Sequence, residues 1–436
     1  MNSTMNDLPV ARDTVILGAG LAGLSASRRG GVIYEKERGI GGTCGSLSIG
    51  GYTFDKGIHV LHTKNKYVLG LLSGRERPGL EKRKRSAWIY SHGVLTKYPF
   101  QANTFGLPRR IISECLEGFI GTFNNPRRKY DNYEDWIYGA FGKGIADNFY
   151  LPYSRKFWTV GARELTTDWL DVRVPRPRIE QVIAGALSIQ KEEFGPNSLF
   201  QYPRRGGIQS IPQALAGKNA IIHLGEKAAR VDLVNRSVVF TGGRKAYFRD
   251  LISTIPLPEL VKMIDGIPSQ VKTAAAALRY NSVFCVNLGV KGANLNKAHW
   301  IYFPEDKFAP FRISFPRNFS ASTVPKGWSS IQAEISYSQK RPISKRSITE
   351  KVVADLISAR IIKPRQKVKL IGTDDIKYAY VIYDHQRVRN LDIIQKFLRR
   401  YSVYSAGRYG EWKYLWMDEA ILSGRKAAME ADRNRQ

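Results

Sequence analysis

The chain has 436 residues, room for two or three domains, and 43% of them are hydrophobic, an ordinary share for a globular fold. Its three cysteines, Cys44, Cys115 and Cys285, lie far apart with no C-x-x-C, which excludes a disulfide framework and a dithiol flavin reductase and suits a reducing compartment. The net charge of +30 is spread in short groups such as Arg83-Lys84-Arg85 and Arg399-Arg400, so it reads first as a solvated basic surface, then as a match for phosphorylated substrates or an anionic membrane; no nucleic-acid motif accompanies it.

Thr14 to Gly23 form an apolar strand running into Gly-x-Gly-x-x-Gly, and Val32-Ile33-Tyr34 form a second strand ending at Glu35. Gly18 permits the tight turn, Gly20 lets backbone approach a pyrophosphate, and Gly23 lets the helix lie close on the strand. The helix start offers N–H groups and a positive dipole end to phosphate, and Glu35 is placed to accept from ribose hydroxyls, so an unphosphorylated adenosine ribose is expected. Residues 18–31 leave little length for the crossover. A helix from about Leu21 to Arg28 spans roughly 12 Å at 1.5 Å per residue, which predicts a weakly supported site. The glycine run from Gly39 to Gly45, with Gly41 and Gly42 at its centre, lets backbone lie against a flat ring or pyrophosphate.

A strand pair is expected over Ser46 to Phe54, followed by Asp55 to His59. Apolar spacing turns helical from Pro108 to about Gln190, with Ile111, Cys115 and Phe119 on one face. Strands return at Leu199 to Tyr202, Ala220 to Leu224, Ala229 to Leu233 and Ser237 to Phe240, the last two turned at Asn235-Arg236, and then at Leu251 to Thr254. After a helical stretch, Leu257 to Leu278, an antiparallel set follows from Ser282 to Ser336. A helix at Ser347 to Ala359, strands near Val368 and Tyr380, a helix at Asn390 to Arg400, a strand at Val403 to Ala406 and a helix from Met417 complete the chain. The fold class is α/β. A discontinuous Rossmann-like cofactor domain (1–97, 198–260, 374–436) is interrupted by a mainly helical insertion (98–197) and an antiparallel sheet domain (261–373). His59 and His62 are the only close histidine pair and have no cysteine or acidic company, so no metal site is expected. The longest apolar runs fall short of eighteen residues and the start lacks a signal-peptide pattern, so a cytoplasmic protein is expected.

Motifs along the whole chain, in unchanged order, carry a more specific signal. They include Tyr98-Pro99-Phe100-Gln101, Asp135-Trp136, Pro152-Tyr153, Lys156-Phe157-Trp158, Trp169 with Arg173, Gly195-Pro196-Asn197, Trp300 to Asp306 with Phe311-Arg312, and Gly407 to Tyr414 with Met417-Asp418. The layout resembles the FAD flavoprotein superfamily of amine oxidases and protoporphyrinogen oxidases. The motifs resemble its UDP-galactopyranose mutases of the eukaryotic type and their bacterial relatives. That resemblance implies FAD as cofactor, held by Gly18, Gly20, Gly23, Glu35, Gly41, Gly42, Val231, Arg408, Met417 and Asp418, with NAD(P)H as reductant. It implies a UDP-sugar as substrate. Tyr98, Phe100 and Gln101 would hold uracil, Arg173 and Arg312 would clamp the diphosphate, Tyr302 and Tyr414 would donate to it, Trp158 and Asn197 would line the pocket, and His59 would face the flavin. In such enzymes the reduced flavin N5 attacks the anomeric carbon, UDP leaves, and the sugar recloses as a furanose. Guanidinium forks suit a leaving diphosphate. Such chemistry needs no Cys, Ser–His or paired-carboxylate nucleophile, and none is evident in the sequence.

The sequence departs from that family at four places. Phe319 and Arg387 stand at or near positions where a phosphate-contacting tyrosine is usual, Ser154 replaces an asparagine, and Ile58 precedes the flavin-facing histidine in place of glycine or proline. These leave the sugar open, and two other readings with it: a flavin oxidoreductase of the amine or protoporphyrinogen oxidase type, and a non-catalytic flavin-binding protein.

Overall fold

The two ends of the chain meet in one parallel sheet. From edge to edge its strands are Val403–Ser405, Asp250–Ser253, Thr14–Leu17, Val32–Glu35 and Ile221–Leu224. Leu17 pairs with Tyr34 on one side and Ser253 on the other, and Ser253 in turn with Ser405. Every residue of Thr14–Leu17 is buried, as expected of a strand covered on both faces. The computed structural model describes residues 14–73, 79–124, 129–170, 173–174, 176–190, 198–217 and 220–433.

The fingerprint helix is as short as the crossover requires. It runs over Leu21–Ala26, and a 3-10 turn, Ser27–Arg29, follows before Gly30 at φ +114° ends it. Its support comes from the far end of the sequence. The closing helix, Met417–Arg433, packs so closely that a Cβ on Gly424 would lie 1.9 Å from the carbonyl oxygen of Ala22. A second glycine, Gly407 at φ +77°, would bring a Cβ to 2.8 Å of the Ala22 methyl. Backbone-to-backbone contact thus replaces the missing turns of helix.

A seven-stranded sheet stands beside this unit. Its order is Val368–Val381, Tyr280–Lys291, Trp328–Tyr337, Arg312–Ser314, Trp300–Tyr302, Ala87–Ser91 and Val94–Lys97. The sequence points to a purely antiparallel sheet, but this one is mixed: Trp300–Tyr302 runs parallel to Ala87–Ser91. A hairpin early in the chain joins the edge across a connection of about two hundred residues, and so long a crossover permits parallel pairing. Residues 87–97 and 374–381, grouped above with the cofactor unit, hydrogen-bond in this sheet. The helical insertion contains Arg109–Asn124, Tyr133–Ile145, Leu151–Trp158 and Ile179–Leu187. Its first two helices also touch through glycine, since a Cβ on Gly142 (φ +73°) would lie 1.9 Å from the Gly118 oxygen. One continuous apolar core links Phe119, Phe141 and Trp158 of the insertion to Val403 and Trp412. Among the described residues no helix is long and apolar enough to cross a membrane, and no group of three metal-ligating side chains occurs.

Candidate active site

Gly18 sits at φ +98°, where a Cβ would meet the Thr254 hydroxyl at 2.5 Å, and a Cβ on Gly23 would fall 1.9 Å from the Gly18 oxygen. Both glycines are required by the protein itself. Gly20 differs: a Cβ there would meet nothing within 4 Å. That open space, at the start of a helix, fits the approach of a pyrophosphate. The second glycine run lies beside it, with Gly41 N–H donating to the Ala19 oxygen at 2.8 Å and a Cβ on Gly42 falling 3.4 Å from the Gly20 Cα. Glu35 is buried at the tip of its strand, accepting from Ala19 N at 2.6 Å and Glu37 N at 2.9 Å. These two bonds hold the carboxylate at the place where a ribose is expected. Val231 is buried in the strand Ala228–Asp232, which follows directly on the Glu226 N–H donation to the Glu35 oxygen. The residues present therefore fit a dinucleotide such as FAD.

A cluster of aromatic rings lies where the sheet strands meet the helical insertion. Tyr302 is in register with Arg312 on the neighbouring strand and packs on Tyr98 and Tyr153 at centroid distances of 5.3 and 5.4 Å. Tyr414 packs on Tyr380 and Trp158 at 5.8 and 6.3 Å. Burial raises the pKa of Tyr98, Tyr153, Tyr302 and Tyr380, so these phenols stay protonated and can donate. Four arginines border the rings, and the first, buried Arg85, lies over Tyr98 at 4.9 Å. Arg408 lies over Tyr414 at 4.8 Å and donates to the Leu415 oxygen. Arg173 lies over Tyr414 and Trp416 at 5.5 and 5.1 Å, and donates to the Tyr414 oxygen at 2.9 Å and to Glu419 at 3.1 Å. Arg312 makes a two-point bond to Glu334, at 2.5 and 2.8 Å. His59 stands half-buried nearby, its Nδ1 3.2 Å from the Gly57 oxygen. Burial, then the charges of Arg408 and Arg312, lower its pKa to about 4. The imidazole is therefore neutral at pH 7.

Arg173, Arg312, Arg408, Tyr98, Tyr302, Tyr414 and Trp158 thus adjoin one set of rings, and His59 lies within reach of the Arg408 and Arg312 charges. Phe100 and Gln101 sit deeper, with Phe100 fully buried and stacked on Phe149 at 5.0 Å. Met417 opens the closing helix, and Asp418 accepts from Glu419 N. Asn197, with Gly195 and Pro196, lies outside the described residues. Phe319 is buried against Trp300 and Tyr202 and walls a small cavity shared with Asp55, His59 and Gln332. Arg387 is buried behind the rings, where it donates to the Trp412 oxygen and covers the Tyr383 ring at 4.0 Å. The Tyr383 hydroxyl in turn accepts from Tyr414 N at 2.7 Å. Sequence reasoning missed Tyr380, Glu334, Trp416 and Glu419. The alternation Tyr378-Ala379-Tyr380-Val381, with Ala379 and Val381 buried, was the one available signal, for Tyr380.

A glycine-rich turn at a helix start, with a cluster of aromatic and basic side chains beyond it, suits a flavin enzyme. The family model for flavin containing amine oxidoreductases matches residues 23–431, and the chain belongs to that family. FAD is its cofactor. Among solved structures, the chain is similar to a reduced UDP-galactopyranose mutase, at 27% identity and a TM-score of 0.91, covering 98% of this chain and 95% of that one. It is also similar to a putative protoporphyrinogen oxidase from Exiguobacterium sp. 255-15 (15% identity, TM-score 0.74, 99% and 100% covered). A third likeness is to a CLA-producing fatty acid isomerase from P. acnes (12% identity, TM-score 0.66, 97% and 99% covered). The latter two bear on the fold alone.

Proposed function

We propose that this protein is an FAD-dependent mutase interconverting the pyranose and furanose forms of a UDP-sugar, with UDP-galactose the first candidate, in the cytoplasm. The observation that carries the reading is that Arg173 lies over Tyr414, which packs on Tyr380, while Arg312 is in register with Tyr302, so both arginines border one linked set of tyrosine rings. An amine or an apolar substrate has no use for two guanidinium groups, whereas a leaving diphosphate needs fixed positive charge and hydroxyl donors. The reduced flavin supplies the nucleophile when bound. The chain's own residues hold and orient: Tyr98, Phe100 and Gln101 take the base, and Arg173, Arg312, Tyr302 and Tyr414 the diphosphate. Trp158 and Asn197 wall the pocket, while neutral His59 faces the flavin without adding a charge. Gly41, Gly42, Val231, Arg408, Met417 and Asp418 complete the cofactor contacts. NAD(P)H is the proposed reductant, visiting the substrate site because the sequence holds no second fingerprint.

The test is product analysis of the reduced protein with a panel of UDP-sugars under anaerobic conditions. One reduction should support many turnovers. Consumption of NAD(P)H or oxygen one-for-one with product would instead establish an oxidoreductase, and a folded protein that takes up no FAD would establish a scaffold.

A further inference from the structure

Lys156 is 2% exposed, and its ammonium lies among main-chain oxygens only. Four main-chain oxygens share its three N–H groups: those of Phe308 and Pro310 at 2.7 Å, Phe303 at 2.8 Å and Glu305 at 3.0 Å. Such a ring suits a group with three N–H donors and no lone pair, since a neutral amine would aim its lone pair at a carbonyl. Burial, then the charge of Arg341, lowers the Lys156 pKa to about 7, so its charge is held here only because oriented carbonyl dipoles replace water. The arrangement is that of a monovalent-cation site in which the chain supplies its own cation.

The four carbonyls belong to one strap, residues 303–310, which joins the strand Trp300–Tyr302 to the strand Arg312–Ser314. Its ends close on each other, with Phe303 N donating to the Phe311 oxygen at 2.9 Å. The strap therefore carries Tyr302 at one end and Arg312 at the other. Lys156 comes from the opposite wall. Its helix, Leu151–Trp158, bears Tyr153 and Trp158, and is tied to the sheet by Asn281 Nδ2 donating to the Phe157 oxygen at 2.6 Å. Next to Lys156, Arg155 donates to Asp306 of the strap at 2.5 Å, and Arg341 donates to the same carboxylate at 3.1 Å. Those outer pairs are partly exposed and contribute little. The buried ammonium is the stronger tie between the walls.

We propose that Lys156 is a positioning residue of the candidate site: by gathering the strap carbonyls it sets Tyr302 and Arg312 against Tyr153 and Trp158 at the spacing a sugar-nucleotide diphosphate needs. The assignment rests on the mutase reading for the identity of the ligand, and on the hydrogen bonds above for the tie itself.

The test uses the full-length, FAD-loaded protein and two variants. Lys156→Met should retain FAD, and its amide exchange should rise by roughly tenfold or more in 303–311 and 151–158 while the parallel sheet stays protected. Loss of charge-assisted bonds of this kind corresponds to about ten- to a hundredfold, expected in UDP affinity and turnover together. In Lys156→Ala, n-propylammonium should restore strap protection and turnover, because the cage accepts any small ammonium. Wild-type protection of 303–311 in Lys156→Met, or exchange raised evenly over the whole chain, overturns the proposal. Failure of the amine to restore Lys156→Ala, including failure to recover its fold, also overturns it. A wild-type protein that binds no UDP and converts no UDP-sugar would sink the mutase reading, and exchange in the strap would still decide the role of Lys156.

Discussion

Replacing Arg312 by Met separates two roles that one side chain plays. The guanidinium is 15% exposed and its partner Glu334 only 2%, joined by two bonds on adjacent, in-register strands. At about 4 Å and an effective dielectric of about 20, such charges attract by roughly 4 kcal/mol. Removing one partner leaves the other buried and unpaired, at a cost of roughly 3–5 kcal/mol. Arg312→Met should therefore lose about that much stability in denaturant unfolding, before catalysis is considered. The double variant Arg312→Met/Glu334→Met removes both charges, and replacing a buried pair by apolar groups is often neutral within about 1 kcal/mol or even stabilising. Its stability should return nearly to that of the wild type. On the proposed mutase reading its turnover should not return: without the fork about ten- to a hundredfold would be lost, because charge would grow on the diphosphate as the anomeric bond breaks. Glu334→Gln is the control, destabilised yet still carrying Arg312, and its affinity for UDP should be retained or tighter. A double variant as unstable as either single one would show that the pair is not a coupled unit. A double variant with wild-type turnover would remove Arg312 from the diphosphate clamp.

Three other outcomes are expected. Gly20→Ala should fold normally yet lose most bound FAD, because its Cβ meets no protein atom, whereas Gly424→Ala should unfold at lower denaturant because its Cβ would strike the Ala22 oxygen at 1.9 Å; flavin absorbance and unfolding midpoints check both. His59 and His299 have pKa values lowered by burial from 6.5 to about 4, so the unfolded chain takes up protons first and stability should fall as pH drops from 6.5 towards 4. Asp55, raised to about 6 by burial, acts in the opposite sense between 6 and 3.8, so the clean measurement compares unfolding across that range with His299→Asn, which should flatten the loss. Arg173→Ala should lose turnover and Arg173→Lys should recover little of it, since a point ammonium cannot both lie over the Tyr414 and Trp416 rings and donate to Glu419; wild-type turnover in Arg173→Ala would place Arg173 outside the site.

The fingerprint was legible because each of its glycines answers a local demand that any sequence would show: a positive φ at Gly18, a close helix at Gly23, an open face at Gly20. The alternation of strands gave the sheets, and the motif order carried the residues of the aromatic cluster across the whole chain. What stayed hidden depends on partners far apart in sequence. Nothing near Arg312 marks Glu334 as its counter-charge, since the pairing follows from the register of two strands. Lys156 reads as one more cation in a chain of net charge +30, and only the strap folded round it shows otherwise. The crossover is the sharpest case. From its length alone it predicts a poorly supported cofactor site, because a helix of six residues cannot brace a strand by itself. The brace comes from Gly424, some four hundred residues later, whose lack of a side chain has no local reason in an exposed-looking helix. A glycine inside a helix costs about 1 kcal/mol relative to alanine, and that cost is offset only where another backbone must come close. Gly424 is thus the residue that lets a short crossover support a flavin site, and its meaning lies in Ala22.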